Sequence, residues 1–209
     1  MKFSKELKEA ISHLPDKEKD KLLIRLLKKD LILAKRLEFE LVSAQSVDEK
    51  RTEMEEQIKE RVKEFSEGFY SLGYLNMDIR FLSGDITEYV KVTKDKFGEV
   101  SLNVLLLTEV LNRNNYRIQS FSMQKGRKLL VAIIARAFKI ILLAHKLHKD
   151  YHIELEDPMR KLGRLIGQNH YLMKTAIFNG FDVNWMITGD IPEDIESHYK
   201  DLRKQGYLR

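Results

Sequence analysis

Cysteine is absent from the 209-residue chain. This excludes a disulfide framework, a thiolate nucleophile and every cysteine-ligated zinc or iron–sulfur centre. It also suits a reducing compartment. Three prolines and ten glycines are too few for a collagen-like or low-complexity chain. No apolar run approaches the roughly 20 residues of a membrane span. The longest, Leu129–Ala144, is interrupted by Arg136 and Lys139. The opening MKFSKELKEAISHLPDKEKD has no apolar core of a secretory signal, so a cytoplasmic protein without a membrane partner is expected. GxSxG, GxGxxG, P-loop and HExxH patterns are all missing, which leaves no recognisable catalytic motif.

Charge is abundant instead. One residue in three is charged and the net charge is +5. That surplus is local: residues 126–152 carry +5 by themselves, and the rest of the chain is nearly neutral. A partner attracted by charge would therefore meet one helix rather than a whole face.

Apolar residues recur at helical spacing and nowhere at the period of a strand, which predicts an all-α multihelical bundle or array. Short, capped helices near the start suggest a HEAT-like array there. Ser4 and Asp30 are expected as caps, and Pro15 fits the first turn of a second helix. Leu22, Leu23, Leu26, Leu27, Leu33, Leu37 and Leu41 are expected to face inward. A long helix from Asp48 is followed by a seam of Leu75, Ile79, Leu82, Ile86, Tyr89 and Thr93, with a turn around Gly98. Residues 112–126, rich in Asn and Ser, read as a linker or long loop between helical regions 1–111 and 127–209, unless the two form one continuous domain. The segment 127–149 reads as a central apolar helix. Asp157-Pro158 reads as a helix start, and Gly180 and Gly189 as stops.

Three sets of residues carry possible chemistry. Lys128, Arg136, Lys139 and Lys146 align along the apolar helix, either as its one wet strip or as a stripe that tracks phosphates. His145, His148 and His152 share a face at spacings that a metal would use, though such residues equally suit a helix C-terminus. Glu64 and Glu67 lie three apart on one expected helix, and Asp85 and Glu88 three apart on the next. On antiparallel neighbours these four carboxylates would converge on Mg²⁺, which would join them to a substrate phosphate. Asp78 and Arg80 are expected as surface or ion-pair residues.

Several stretches resemble known families. ExxE-x17-DxxE, from Glu64 to Glu88, is similar to the ExxE…ExxD pattern of all-α nucleoside triphosphate pyrophosphatases, with the acids of the second pair exchanged. LPDKEKDKLLIRLLKKD and YLNMDIRFLSGDITEYVKVTKDKFGEVSLN resemble an uncharacterised family of bacterial all-α proteins, some of whose relatives are labelled deoxyuridine triphosphate hydrolases. LGRLIGQNHYLMKTA, residues 162–176, is similar to a helix-turn-helix core, with Gly163 at the small-residue position and Gly167 at the turn. DVNWMITGD resembles the NWLLTGE segment that ends phage-repressor-like DNA-binding domains, with Trp185 anchoring a short helix. The resemblance implies base contacts from Asn169, His170 and Lys174. It departs from the pattern at Gln168, where an apolar residue is expected.

The sequence thus predicts an all-α interaction or scaffold protein, working with a protein partner or by self-association and needing no cofactor. A helix-turn-helix-like nucleic-acid binder and a Mg²⁺-dependent nucleotide hydrolase are the alternatives.

Overall fold

The computed structural model describes residues 3–209. Among these are eleven α-helices and no strand. They fall into two compact units, one of Met1–Gln45 with Lys91–Thr93, the other of Ser46–Val90 and Lys94–Arg209.

The first unit carries α1 (Lys5–Ser12), α2 (Asp16–Leu27) and α3 (Leu31–Leu41). Its side-chain caps are as expected, although Pro15 stands at the N-cap, one residue before α2, rather than in its first turn. Ser4 Oγ accepts from the Leu7 N–H and Asp30 Oδ1 from the Leu33 N–H, each satisfying an orphan donor of a first turn. The packing is not as expected. No residue of the three helices is buried. Leu23 and Leu26 are half exposed and Leu41 is 78% exposed, although their spacing places them on apolar faces.

The second unit holds the core. Its helices are α4 (Val47–Glu67), α5 (Leu72–Thr93, whose last turn clusters with the first unit), α6 (Lys96–Ser120), α7 (Met123–His145), α8 (Asp150–Gly167), α9 (His170–Phe178), α10 (Asn184–Ile187) and α11 (Ile195–Lys204). Ser46 and Glu49 form a reciprocal capping box that starts α4. Arg51 meets Asp95, and Ser66 meets Asn114, so α4 and α6 run parallel. Phe97 stacks near Tyr151 and Asn115 bonds Leu165 O, so α8 runs parallel to α6. Glu99 pairs with Lys139, which sets α7 antiparallel to α6. Leu72 lies against Gly126, and Ser83 bonds Arg136, so α5 runs parallel to α7. Up-pointing α4, α6 and α8 thus form one layer, with down-pointing α5 and α7 in the other.

Helix α7 is central, with ten buried residues that include Leu129, Ile133, Ala137 and Phe138. It begins four residues before the sequence suggests and ends at His145 rather than Lys149. The α5 seam from Leu75 to Thr93 is buried throughout. Around Phe138 the rings of Phe181, Trp185 and Tyr199 pack with centroids 5.0–5.6 Å away.

Other expectations need correction. Asn112–Ser120 are the last turns of α6, not a connection, and only Phe121 and Ser122 separate α6 from α7. Asn114 is fully buried because its side chain bonds Ser66 Oγ at 2.8 Å and Val110 O at 3.0 Å. Gly98 lies inside the first turn of α6, and the chain reverses at Lys94 (φ 61°) and Asp95. Pro158 sits within α8, which starts at Asp150. Gly180 and Gly189 do end helical segments, each with φ in the left-handed region.

Candidate functional site

The cations of α7 separate into two kinds. Lys139 Nζ lies 3.4 Å from Glu99 Oε1, and Lys146 Nζ 3.2 Å from Glu196 Oε1. Lys128 is exposed. Arg136 is half-buried, donates to Ser83 Oγ and has no acceptor for its Nε. Burial lowers its pKa, and the nearby charge of Arg80 lowers it further. The row is therefore not a uniform stripe: two of its members are already matched by carboxylates of neighbouring helices.

The imidazoles do not meet. His148 Nδ1 faces Asp150 Oδ2 at 3.1 Å, and His152 Nε2 lies 3.1 Å from Ala144 O, while His145 ends α7. Asp85 is engaged by Arg61 at 2.5 Å, whereas Glu64 and Glu67 are exposed on α4 and Glu88 is half-buried on α5. Burial raises the Asp78 carboxyl, and Arg61 opposes it. Among the described residues no group of three or more His, Asp or Glu side chains is placed to hold a metal ion.

The helix-turn-helix-like segment has a structural use for its most suggestive residues. Asn169 is fully buried: its Oδ1 caps the Tyr171 and Leu172 N–H groups, and its Nδ2 bonds Asn115 Oδ1 at 2.8 Å. It cannot read a base from there. His170 contacts Gln119 Oε1 at 3.0 Å, and Lys174 is exposed. Gly163 does mark a close helix crossing, but with α10: an added Cβ would lie 2.8 Å from Ile187 Cγ1. Gly167 is the last residue of α8, has no positive φ, and makes no turn.

Two exposed apolar surfaces remain. In the first unit, Phe3, Leu7 and Ile11 follow one another at steps of four and are 60%, 46% and 44% exposed. Leu23, Ile24 and Leu26 of α2 are interleaved with Lys21, Arg25, Lys28 and Lys29, beside an open groove of about 430 Å³ lined by Asp20, Lys21, Ile24, Arg25 and Lys28. In the second unit, Tyr70 precedes α5, and Tyr74, Met77 and Phe81 continue from it at steps of four, three and four, all exposed. The signal for the second surface was in the sequence, as a stripe opposite the α5 seam. What distinguishes it from core is only which stripe meets another helix.

Among the described residues no helix is long and apolar enough to cross a membrane. Comparison of the chain with family models, curated proteins and solved structures finds no match.

Proposed function

We infer that this is a cytoplasmic interaction protein that binds a protein partner through the apolar faces of α1–α3. One observation carries the reading: three amphipathic helices, two of them with side-chain caps, contain no buried residue at all. Amphipathic helices gain most of their stability from covering the apolar face, and exposed apolar patches of this kind mark interaction surfaces. Each Leu or Ile side chain taken fully out of water would contribute roughly 1.5–3 kcal/mol to association. The interleaved lysines and Arg25 favour a partner whose rim is acidic. A second copy is the first partner to test, because α1 and α2 each carry both apolar residues and acidic ones, Glu6, Glu9, Asp16, Glu18 and Asp20.

Sedimentation of the full chain across a concentration series tests this, combined with hydrogen exchange of residues 3–45. Association that protects α1–α3 and is lost in Leu23→Glu/Leu26→Glu is the expected result. Slow exchange of these helices in the monomer, already as protected as α6, would sink the reading.

A further inference from the structure

Lys139 of α7 and Lys146 just beyond it each have a carboxylate at hand, but Arg80 and Arg136 do not. Among the described residues neither forms an ion pair with an acidic side chain. Arg136 reaches from α7 to Ser83 Oγ on α5 and keeps a buried, unaccepted Nε–H. Arg80 stands one turn before Ser83 on the same side of α5, near enough for its charge to act on Arg136. A half-buried guanidinium with no carboxylate partner, whose Ser83 acceptor lies one turn from a second arginine, is under electrostatic strain. An oxyanion removes that strain, and the planar fork of Arg suits phosphate better than any other side chain does.

The ground around the pair is open. A Cβ on Gly84, one turn after Arg80, would meet nothing within 4 Å. Met77 and Phe81 stand on the solvent side of the same helix, 41% and 56% exposed. Across on α7, Ala132 lies one turn before Arg136 and presents only a methyl group, and Lys128 a turn further is exposed.

We propose that Arg80 and Arg136 form a phosphoryl-binding site on the α5–α7 face for a nucleotide, free or within a single strand, whose base packs on Met77 and Phe81. A phosphate between the guanidiniums satisfies the Arg136 Nε–H, and an exposed aromatic ring beside it offers the base a stacking surface. The site uses residues of α5 and α7 and none of α1–α3, so either reading can fail without the other.

The test is anisotropy of a short fluorescein-labelled oligouridine with the full chain at low salt, with ATP, inorganic phosphate and polyglutamate as competitors. Arg80 is exposed, so Arg80→Ala should fold normally and weaken binding about tenfold or more. Phe81→Ala should weaken oligouridine and ATP but not inorganic phosphate. Lys8→Ala, an exposed control, should change nothing. Arg80→Glu should abolish binding yet raise the Tm by about 1–3 °C, because it gives Arg136 the carboxylate that it lacks. Competition by ATP as strong as by unlabelled strand assigns a free nucleotide; tighter, steeply salt-dependent strand binding assigns a single strand. The proposal is overturned if no probe binds, if Arg80→Ala leaves affinity unchanged, or if inorganic phosphate alone binds. Polyglutamate competing as well as oligouridine would also overturn it, in favour of an acidic protein.

Discussion

Arg51 and Asp95, 44 residues apart in sequence, form an ion pair of 2.7 Å between Nε and Oδ2 that joins the start of α4 to the cap of α6. The carboxylate also accepts from Tyr89 Oη at 2.7 Å and from the Gly98 N–H at 2.8 Å, so three helices converge on one buried side chain. Arg51 in turn lies over the Phe97 ring, 4.9 Å from its centroid.

Asp95→Ala is expected to destabilise the protein by about 3 kcal/mol, read from urea unfolding, because it leaves Arg51 only the exposed Asp48 as an ion-pair partner and strands two hydrogen-bond donors. The effect depends on pH. Burial pushes the Asp95 carboxyl up, but Arg51, the Gly98 N–H and Tyr89 together outweigh it and hold the pKa below its ordinary value of 3.8. A depressed carboxyl contributes its stability in full above that ordinary value and loses it as pH falls through the folded one. The gap between wild type and Asp95→Asn should therefore close on acidification below pH 3.8. A gap that stays constant down to the acid transition would contradict this.

Two glycines four residues apart on α8 should respond with opposite sign. Alanine at Gly163 would bring a Cβ to 2.8 Å from Ile187 Cγ1 and 3.1 Å from Met186 Cβ, and should destabilise by about 1–3 kcal/mol. Alanine at Gly167 meets nothing within 4 Å in a helical conformation, and should stabilise by about 0.5–1 kcal/mol. Calorimetric Tm values of the two variants decide the matter. A loss at Gly167 would restore the tight-turn role that the sequence suggests.

Phe138→Ala should cost about 3–5 kcal/mol, since the ring is wholly buried and touches Phe181, Trp185 and Tyr199. Trp185 is the sole tryptophan, so its emission reports the same site. A red shift in the folded variant is expected, and an unchanged spectrum would mean that the cluster closes over the cavity.

Asn169→Ala should lower stability by about 1–2 kcal/mol through the lost α9 cap, more if Asn115 finds no new partner. It should leave any nucleic-acid affinity untouched. Equal stability with weaker binding would reinstate Asn169 as a recognition residue.

What was legible in the sequence followed from local rules. The α5 seam needed only its four-and-three spacing, and the caps at Ser4 and Asp30 needed only a side chain three residues before an N–H. Asn114 and Asn169 were illegible because polarity reads as exposure, while their partners Ser66 and Asn115 lie 48 and 54 residues away. Arg80 and Arg61 look alike in a sequence. Arg61 pairs with Asp85 whereas Arg80 has no carboxylate partner, because the register between helices decides what stands opposite. The leucines of α1–α3 mark the reverse limit: helical spacing defines a face but not whether the chain itself covers it.

The alternation of α4, α6 and α8 against α5 and α7 has a kinetic consequence. Except for α11, which packs back on α7, each helix of the second unit rests chiefly on sequence neighbours one or two elements away, so opening can start at a terminus and advance like a zip rather than all at once. Amide protection should then rise in steps from α11 inward to α6, which is held by helices on three sides, and a lesion near Trp185 would loosen one end while Arg51 keeps the other closed.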